Sequence, residues 1–481
     1  MATLMDGRDV PVFDGWHDEA EAIVVGGGMA GHSAALELAE GGADVLLLEK
    51  QPETGGSSVL SGGSFAFAGT DLQKKHGIED SSELLFDDLR RIGAFNNDES
   101  VVRAYTDNQL DTYHWLAGHG VAFGKVFLAA GQSVPRAHSR DPREVLAQVA
   151  ARAQATGRLA VRLDAPVGRL VRNTLDGPVE GVIARVGGRW RAIRAQRGVV
   201  LASGGFSRNG ALLQLFAPAQ AEAQRSGGPG NTGDGLLMAW ELGAAFRDVG
   251  YIKGTFGSHP DAVPGQHLTI LPIYVGGIAV NAQGQRFIDE SKSYKLIGDA
   301  CLQQPGAIGY QIFDRRIFER GQRGVPIMDF QAKLDSGHLL SAPTLDELAA
   351  RLGVQPEGLA RTVAQYNESV RAGRDDAFGR DGLSNHYGEL ASIDTPPFYG
   401  YPSKSVVLAT YCGLAVDDRM RVRNVFGETI PGLYAAGEVV GGLHGSAYMT
   451  GSAIGKATIF GRLAARAMLG VDAAAAATGG A

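Results

Sequence analysis

A glycine-rich turn near the start of the chain limits what this sequence can fold into more than any other feature. The stretch AEAIVVGGGMAGHSAALELAEGGADVLLLEK contains an apolar strand at residues 22–25, a glycine turn, a helical pattern and a second apolar strand at residues 45–48. The turn has GxGxxG spacing, formed by Gly26, Gly28 and Gly31. A lone motif of this kind is weak evidence. One that leaves a strand, opens a helix and is followed by an acid, Glu49, at the end of the next strand is typical of a dinucleotide-binding βαβ unit.

The chemistry of a dinucleotide explains this arrangement. Its pyrophosphate binds amides at the N-terminus of the helix, and an acid at the end of the second strand accepts hydrogen bonds from ribose hydroxyls. We therefore predict that the start of the first helix binds the phosphates and that Glu49 binds the ribose.

The composition is that of an ordinary globular protein. The chain has 481 residues, 44% of them hydrophobic and 20% charged, and its net charge of -7 gives no reason to expect nucleic acid as a partner. Its 68 glycines favour tight turns and close approaches of the backbone to a ligand. Two cysteines cannot form a disulfide framework. The acidic N-terminus is unlike a signal peptide and no long apolar run is present, so we expect a cytoplasmic protein without a membrane span.

Further along, the pattern indicates strands, an inserted region and a return to the first domain. Residues 157–173 and 179–206 are typical of short strands, and residues 346–373 of two helices with a Pro-containing break between them. Residues 248–345 mix short strands and helices, which indicates a second domain inserted into the first. After residue 395 a strand pattern, SVVLA and then GLAVD, returns to the nucleotide-binding domain.

Four segments favour FAD over NAD as the dinucleotide. They are GGSSVLSGGSF at 55–65, VVLASGGF at 199–206, NTGDGLLMAW at 231–240 and GLYAAGEVVGGLHG at 432–445. A second Gly/Ser-rich segment directly after Glu49 is superfluous for NAD. It suits a flavin ring, which needs amides and hydroxyls along its edge.

Together with RFIDES at 286–291 and YNESVRAGRDDAFGR at 366–380, these segments resemble the flavoprotein family of fumarate reductases, succinate dehydrogenases and 3-ketosteroid dehydrogenases. The resemblance extends over nearly the whole chain. It implies non-covalent FAD and an α/β fold, in which a Rossmann-like FAD-binding domain of the glutathione-reductase type carries an inserted α+β capping domain. We place the FAD-binding domain at 18–247 and 394–472, the capping domain at 248–393 and a disordered tail at 473–481.

The motifs and the resemblance together give the predicted FAD-binding residues. Most of them are small residues, hydroxyls or acids near a strand end or a helix start. They are Gly26, Gly28, Met29, Ala30, Gly31, Glu49, Lys50, Gly56, Ser57, Ser58, Ser61, Gly62, Gly63, Val167, Ala202, Ser203, Gly204, Asp234, Gly437, Glu438, Ser452, Ala453 and Ile454. No metal site is predicted.

Two positions of the family pattern separate the substrate classes. In fumarate reductases the C-terminal motif reads HGANRLGGNA, whose arginine binds a dicarboxylate, whereas residues 444–453 of this chain read HGSAYMTGSA, with Tyr448 in the arginine's place. Those enzymes follow RFVNE with TTRD, whose arginine delivers the proton, whereas this chain has RFIDESKSYK, with Tyr294 in that place. A dicarboxylate would lose its bidentate partners, so fumarate and succinate are disfavoured as substrates.

The two tyrosines resemble those of the 3-ketosteroid dehydrogenases instead. In the branch that forms the 4,5 double bond, the motif is similar to Tyr-x-Ser-Gly-x-Ser-Leu-Gly, and residues 448–455 of this chain read YMTGSAIG. Thr450 replaces the first serine and keeps its hydroxyl, whereas the 1,2-desaturating branch has a Pro/Gly-rich run in this place. Two residues depart from the steroid pattern: His444 matches the fumarate reductases, and Lys456 stands where the steroid branch tends to have an acid.

The predicted roles follow from the chemistry of a ketone. Hydrogen bonds to the carbonyl acidify the α-proton, a base removes that proton, and the β-hydrogen leaves as hydride to flavin N5. A tyrosine with an ordinary pKa of about 10 needs a stabilised phenolate to act as the base. We predict that Tyr448 is the base and that Thr450 and Tyr294 support it or relay the proton. The Ser452 amide is predicted to donate to flavin O2 or to the carbonyl, and His444 to contact the flavin, order the loop or take part in catalysis.

We therefore expect an FAD-dependent dehydrogenase that desaturates a 3-ketosteroid, or a similar cyclic ketone, at the 4,5 position. Its partners would be this small hydrophobic ketone and an unidentified electron acceptor. The alternatives are a 3-ketosteroid 1-dehydrogenase, an enone or enoate reductase that runs the chemistry backwards, and a flavin electron-transfer or redox-sensing protein without a substrate.

Overall fold

The computed structural model describes residues 9–263, 266, 268–325, 327–383 and 388–471, so the predicted tail at 473–481 lies outside the described residues. The chain groups into two compact units. The first takes the chain up to Ala217, Gly227–Ile252 and the chain from Ala409, and the second takes Pro218–Ser226 and Lys253–Leu408. The domain boundaries that we expect from the sequence stay a prediction beside this grouping.

Strands and helices alternate along most of the chain. The strands are β1 (Asp18–Val25), β2 (Val45–Leu48), β3 (Ser64–Ala66), β4 (Lys125–Phe127), β5 (Ala137–Ser139), β6 (Leu159–Arg162), β7 (Val167–Val171), β8 (Gly181–Val186), β9 (Arg189–Leu201), β10 (Gln224–Arg225), β11 (Phe246–Arg247), β12 (Ile252–Ser258), β13 (Ile278–Val280), β14 (Gly309–Asp314), β15 (Leu340–Ala342), β16 (Phe398–Thr410), β17 (Gly413–Leu414), β18 (Arg421–Arg423) and β19 (Thr429–Ala435). The α-helices are α1 (Met29–Glu40), α2 (Asp71–Lys75), α3 (Ser82–Ile92), α4 (Glu99–Gly118), α5 (Pro142–Ala155), α6 (Gly210–Phe216), α7 (Asp234–Glu241), α8 (Tyr294–Leu302), α9 (Arg315–Phe318), α10 (Phe330–Asp335), α11 (Leu345–Leu352), α12 (Pro356–Ala372) and α13 (Ser452–Leu469).

A mostly parallel sheet forms the centre of the first unit. Its strands lie in the order β18-β19-β9-β1-β2-β6, with β8 on β9 and β7 on β8. The strands β19, β9, β1, β2 and β6 run parallel to one another, whereas β18 runs antiparallel to β19. The ends of β1 and β2 are almost wholly buried, as in parallel sheets that are covered on both faces, and this explains their unbroken apolar runs. The carboxyl ends of parallel strands meet at one edge, where such sheets bind ligands.

Helix α13 packs along α1 beside this sheet. The contact requires a glycine, because a Cβ on Gly461 would lie 2.4 Å from Ala30 O. Glu37 of α1 joins the two helices by accepting hydrogen bonds from Arg462 Nε at 2.9 Å and from Arg466 Nε at 2.5 Å. The helix that follows the C-terminal motif is therefore anchored to the helix that follows the glycine turn.

The second unit has its own sheet and its own core. The strands β10, β16, β14 and β13 lie side by side, and β12 and β15 also pair with β16. A buried ion network accompanies this core: Glu290 accepts from Arg286 at 2.7 Å and from Arg380 at 3.2 Å, and Asp375 lies 2.9 Å from Arg286. The charged residues of RFIDES and of the segment at 366–380 are therefore used, at least in part, to hold this unit together.

The predicted α/β fold is confirmed, and most predicted elements lie where the pattern put them. The first βαβ unit appears as β1, α1 and β2, and residues 346–373 form α11 and α12, with Pro356 opening α12. SVVLA lies near the end of the 13-residue β16, which belongs to the second unit up to Leu408, and the predicted return to the first domain after residue 395 stays a prediction. Of GLAVD, only Gly413–Leu414 is a strand. Along the described ranges, no helix is long and apolar enough to cross a membrane.

Candidate active site

The carboxyl ends of four neighbouring strands bring the glycine-rich segments to one edge of the sheet in the first unit. The strand β1 ends before Gly26, β2 before Glu49, β9 before Ala202 and β19 shortly before Gly437. Because these strands are adjacent and parallel, the segments that follow them lie side by side. This edge is where we look for the predicted cofactor site.

The turn after β1 is closed by its glycines. Gly26 has a φ of +111°, and a Cβ on it would lie 2.4 Å from Ala202 O. A Cβ on Gly31 would lie 1.9 Å from Gly26 O, so the helix can approach the turn only without a side chain there. Gly28 begins α1 without a side-chain cap. The start of α1 therefore has no side chain of its own over its first amides, as a bound pyrophosphate requires.

Glu49 points toward this turn. Its Oε2 accepts a hydrogen bond from Gly27 N at 2.7 Å, and its Oε1 accepts one from Gln51 N at 2.8 Å. The residue is buried. A carboxylate has about four acceptor positions, so positions remain for the ribose hydroxyls that we expect it to bind.

The first two serines of the Gly/Ser-rich segment after β2 connect it to neighbouring segments. Ser58 Oγ accepts from Met29 N, in the first turn of α1, at 3.1 Å. Ser57 Oγ accepts from Gly228 N at 2.9 Å and from Asn231 Nδ2 at 3.1 Å. The Ser58 hydroxyl therefore lies next to an amide at the start of α1. Ala30, in the same turn, packs against α13, and its predicted contact with FAD stays a prediction.

The glycines of this segment either have open space beside them or form a tight turn. Positions where a Cβ would meet no atom within 4 Å include Gly56 and Gly62. Gly63 has a φ of +70° and lies against Arg140 O, which a Cβ would approach to 2.2 Å. Ser61 Oγ accepts from Gly63 N at 3.4 Å. At Gly56 and Gly62 the segment offers backbone without side chains, and its predicted contact with a flavin stays a prediction.

Lys50 connects the end of β2 to the NTGDG segment. Its Nζ donates to Thr232 Oγ1 at 2.5 Å and to Asp234 Oδ2 at 2.8 Å. Asp234 is the first residue of α7, and the preceding Gly233 has the left-handed conformation that only glycine adopts easily. In this structure Lys50 and Asp234 are paired with each other.

The segment after β9 contains a buried hydroxyl that lacks a partner. Ser203 Oγ has no hydrogen-bond partner among the described residues. It stands between Ala202 and Gly204, whose φ is +75°. Buried polar groups are nearly always hydrogen-bonded, so this hydroxyl is suited to a polar ligand group. Val167, the remaining predicted residue of this half of the chain, is buried at the start of β7.

Glu438, directly after Gly437, is a second acid and is half-buried. It accepts from Thr410 N and from Asn231 Nδ2, both at 2.9 Å. Burial raises the pKa of Glu438. A side chain on Gly437 is excluded, because a Cβ there would lie 2.8 Å from Ala30 Cβ. The glycine turn before α1, the acids Glu49 and Glu438 and the unpartnered hydroxyl together fit FAD.

The C-terminal motif places three rings together. The ring centroid of His444 lies 4.7 Å from that of Tyr411 and 5.5 Å from that of Tyr448. His444 and Tyr411 are buried. We call Tyr411, His444 and Tyr448 the aromatic cluster. Of the roles predicted for His444, ordering the loop agrees with this packing.

The hydroxyl of Tyr448 receives a hydrogen bond from its own loop. Gly451 N donates to Tyr448 Oη at 3.2 Å. A donor at this oxygen stabilises negative charge on it, so the start of α13 provides the kind of support that a proton-transferring tyrosine needs. Thr450 is held through its backbone: its N donates to Ala130 O, and its O accepts from Gln132 Nε2, both at 2.9 Å.

Ser452 is buried at the start of α13, with Ala453 and Ile454 in the same turn. Its N donates to Met449 O at 3.1 Å and its Oγ donates to the same oxygen at 2.7 Å. The amide that we predict as a donor to flavin or substrate therefore has a partner within the turn in this structure, and its role stays a prediction.

Tyr294 belongs to the second unit, whereas Tyr448 belongs to the first. It is the first residue of α8, and its N donates to Tyr274 Oη at 3.0 Å. Its half-buried side chain packs against an apolar cluster that contains Phe256 and Ile297. Packing against this cluster is its observed contact, and the predicted support of Tyr448 stays a prediction.

Tyr411 is the member of the aromatic cluster that the sequence did not reveal. It directly follows the last residue of β16, a strand of the mixed sheet. In the sequence, only its position after a strand pattern could have pointed to Tyr411, because it belongs to no motif. Only the pairing of distant segments places it against His444.

Comparisons with known proteins agree with this site. The FAD binding domain family matches residues 21–454. Probable fumarate reductase Ifc3 of Shewanella frigidimarina is 31% identical over 87% of this chain and 70% of that protein. Urocanate reductase of Eggerthella lenta is 30% identical over 88% of this chain and 70% of that protein. Vinyl phenol reductase of Lactiplantibacillus plantarum is 30% identical over 88% of this chain and 90% of that protein.

Two solved structures are similar over nearly the whole chain. The open conformation of a flavocytochrome c3 fumarate reductase has a TM-score of 0.83 at 30% identity and covers 95% of this chain and 79% of that chain. The 3-ketosteroid-Δ4-(5α)-dehydrogenase of Rhodococcus jostii RHA1, solved with 4-androstene-3,17-dione, has a TM-score of 0.75 at 25% identity and covers 95% of this chain and 98% of that chain. The strand-end site and these matches lead to one conclusion: this chain belongs to the FAD-binding flavoproteins of the fumarate reductase type, and it is an FAD-dependent oxidoreductase that acts on carbon–carbon single or double bonds.

Proposed function

We propose that this enzyme interconverts a CH–CH bond and a C=C bond beside the carbonyl of a neutral, apolar molecule. A 3-ketosteroid dehydrogenated at the 4,5 position is the first candidate substrate. The observation that carries the proposal is the aromatic cluster: Tyr448, which stands where fumarate reductases have their dicarboxylate-binding arginine, packs in this structure with His444 and Tyr411.

A guanidinium and a phenol select different substrates. The planar fork of an arginine pairs bidentately with a carboxylate and keeps its charge at every working pH. A phenol offers one hydroxyl and an apolar ring, which suits a ketone oxygen and a hydrocarbon skeleton. The cluster therefore favours a neutral molecule with one polar end.

In the reaction that we propose, Tyr448 Oη takes the α-proton of the saturated ketone or returns it to the unsaturated one. The Gly451 amide, which donates to that oxygen at 3.2 Å, stabilises the phenolate that takes the proton or that is left once the proton has been returned. When bound, FAD supplies the hydride acceptor or donor. His444 packs against Tyr448 and Tyr411 and thereby keeps the phenol ring in one orientation.

The steroid reading is supported by the structural likeness to the ketosteroid dehydrogenase of Rhodococcus jostii, which extends over 98% of that chain. A second candidate is a reductase that runs the same chemistry toward the saturated product. It is favoured by the relatives at 30% identity or more, which are named as reductases of fumarate, urocanate and vinyl phenol. Both candidates use Tyr448 in the same way and differ in direction.

Anaerobic flavin spectroscopy separates these candidates. We expect 5α- or 5β-3-ketosteroids to bleach the oxidised flavin, whereas bleaching by 4-ene-3-ketosteroids would indicate 1,2-desaturation. Reoxidation of the photoreduced enzyme by enones, without bleaching by any ketone, would support the reductase. Turnover of succinate or fumarate faster than of any neutral compound would contradict the proposal.

Tyr448→Phe tests the proton transfer itself. It removes one hydroxyl and keeps the ring, so we expect the rate of flavin reduction by substrate to fall at least about 100-fold while FAD stays bound. Tyr434→Phe, which changes a tyrosine of β19 in the same unit, is the matched control and should keep the wild-type rate. An unchanged rate in Tyr448→Phe would favour an electron-transfer protein without a substrate at this site.

A further inference from the structure

A tight turn after β11 touches two segments of the aromatic cluster. Asp248 O accepts from Tyr251 N at 3.0 Å, and Tyr251 O accepts from Tyr411 N at 3.1 Å. On the other side of the cluster, Asp248 Oδ2 accepts from Gly442 N at 3.0 Å and from Gly445 N at 3.2 Å. One four-residue turn therefore holds the backbone of Tyr411 and the loop that contains His444.

The backbone of this turn is unusual. Asp248 has a φ of +55°, although it is not a glycine, and it is buried. Residues other than glycine rarely adopt this conformation, and those that do are concentrated at functional sites. Gly442 and Gly445 have φ values of +90° and +56°, which allows their amides to converge on one carboxylate oxygen. The backbone conformation of the loop therefore allows both amides to donate to Asp248 Oδ2.

Lys456 supplies positive charge to this turn. It is buried in the second turn of α13, and its Nζ donates to Val440 O at 2.5 Å. Burial alone raises the pKa of Asp248, and the attraction to Lys456 opposes that rise. Burial lowers the pKa of Lys456 to about 8, against the attraction of Asp248 and Glu438. Asp248, through the amides of Gly442 and Gly445, and Lys456, through Val440 O, therefore hold the same loop.

Other titratable groups lie around this pair. Glu438 follows β19 and faces Lys456, and the pKa of each is affected by the other. Cys412 follows β16, and burial together with Asp248 raises the pKa of its thiol to about 12. Tyr105 of α4 lies beside Gly455, and burial raises its pKa. Of these groups, Lys456 has the pKa nearest the working range.

Resting on the proposed function, we infer that Asp248 and Lys456 are positioning residues that set the separation of Tyr411 and His444 and thereby orient Tyr448 for proton transfer. The carboxylate holds the amides of Gly442 and Gly445 while it is ionised. When Lys456 is neutral, its hydrogen bond to Val440 O loses the charge that strengthens it. The loop around His444 is then held less tightly, and the rate of proton transfer falls.

Two variants test this inference through the rate. Asp248→Asn keeps the shape, an accepting oxygen and tolerance of the left-handed backbone, so only the charge is lost. We expect flavin reduction by substrate to slow about 10- to 100-fold while the FAD content is unchanged. Asp314→Asn is the matched control: Asp314 is a buried aspartate of the second unit that accepts from Ile317 N at 3.1 Å and Thr395 N at 3.0 Å. It should keep the wild-type rate.

The dependence on pH gives a readout that a merely structural role would not change. The wild-type rate should fall as the pH rises through about 8, because Lys456 loses its charge there. Lys456→Arg keeps the charge at higher pH and should move this fall upward by more than about one pH unit. Lys456→Met should be slow at every pH. A fall at the same pH in wild type and Lys456→Arg would overturn the inference, as would a wild-type rate in Asp248→Asn.

A second readout does not require the substrate. In protein labelled with 3-fluorotyrosine, the 19F resonance of Tyr411, assigned with Tyr411→Phe, reports the ring of His444 beside it. We expect this resonance to titrate near pH 8 in wild type and to be shifted at pH 7 in Asp248→Asn. If no neutral ketone or enone reacts with the wild-type enzyme, the proposed function fails, and this titration still decides the inference. A resonance that neither titrates nor shifts would overturn it.

Discussion

At the scale of single residues, burial decides what a side chain can do. His138 in β5 is fully buried, and the ring centroids of Phe67, Tyr113 and Phe123 lie 5.6 to 5.8 Å from its own. Its Nδ1 lies 2.8 Å from Arg136 O, which can only accept, so Nδ1 carries the hydrogen and Nε2 accepts from Thr70 Oγ1 at 2.7 Å. The ring is therefore suited to the neutral state.

The stability of the protein should reflect this burial. Burial lowers the pKa of His138 from 6.5 to about 4. Between these values the unfolded chain binds a proton that the folded chain does not, so the stabilisation is complete above pH 6.5 and is lost as the pH falls. We expect His138 to account for about 2 kcal/mol of the free energy of unfolding lost between pH 7 and pH 5. Urea unfolding at both values measures this loss.

Two variants isolate the effect of His138 from other titrating groups. His138→Gln should lose less stability than wild type between pH 7 and pH 5, even if it is less stable at pH 7. The exposed His114→Gln should keep the wild-type dependence. An equal loss in His138→Gln and wild type would contradict the prediction.

The residues of the aromatic cluster show where inference from sequence ends at this scale. Tyr448 could be predicted, because it occupies one position of a recognisable motif. Tyr411 and Asp248 could not, because their significance lies in distances to residues far away in the chain, such as the 4.7 Å between the rings of Tyr411 and His444. No local pattern contains that information.

At the scale of elements, the sequence predicted the strands and helices that local patterns define. It did not predict which distant strands pair with each other. The first strand, helix and strand could be predicted because apolar period, glycine turn and closing acid all lie within about 30 residues of each other. The full length of β16 could not be predicted. Its first half pairs with β14, from Phe398 opposite Asp314 to Ser403 opposite Gly309, and the sequence does not show this partner.

The junction of α1 and α13 gives a prediction at this scale. Glu37 accepts from Arg462 and Arg466, and the three side chains are only 13%, 3% and 15% exposed. Glu37→Gln leaves the half-exposed Asp111, which lies 3.0 Å from Arg462 and 3.1 Å from Arg466, as the shared carboxylate of the two guanidinium groups, so we expect the free energy of unfolding to fall by about 2 kcal/mol. Urea unfolding measures the change, and the flavin spectrum shows whether the start of α13 has moved.

A glutamate on the same helix provides the control for this junction. Glu40 is 43% exposed and accepts from His119 at the surface. Glu40→Gln should change the free energy of unfolding by less than about 1 kcal/mol. If Glu37→Gln and Glu40→Gln were equally stable, the contacts of Glu37 with Arg462 and Arg466 would not be what anchors α13.

At the scale of the whole molecule, the residues predicted to bind FAD all belong to the first unit. The family motifs in the second unit, by contrast, largely form its own ion network of Arg286, Glu290, Asp375 and Arg380. The sequence could therefore indicate the cofactor and the fold, because both depend on short motifs. It could not separate residues that hold a unit together from residues that meet a substrate, since both recur in a family for different physical reasons.

If FAD binds at the predicted residues of the first unit, it should stabilise the folded protein. A ligand that binds only the folded state raises the free energy of unfolding by RT ln(1 + [L]/Kd), about 4 kcal/mol at 1,000 times Kd. We expect added FAD to raise the unfolding temperature of the apoprotein. Gly31→Ala should abolish this rise, because its Cβ would lie 1.9 Å from Gly26 O and would displace α1 from the turn. Gly118→Ala, where a Cβ meets no atom within 4 Å, should keep it. A full FAD-dependent rise in Gly31→Ala would mean that the cofactor does not bind at the start of α1.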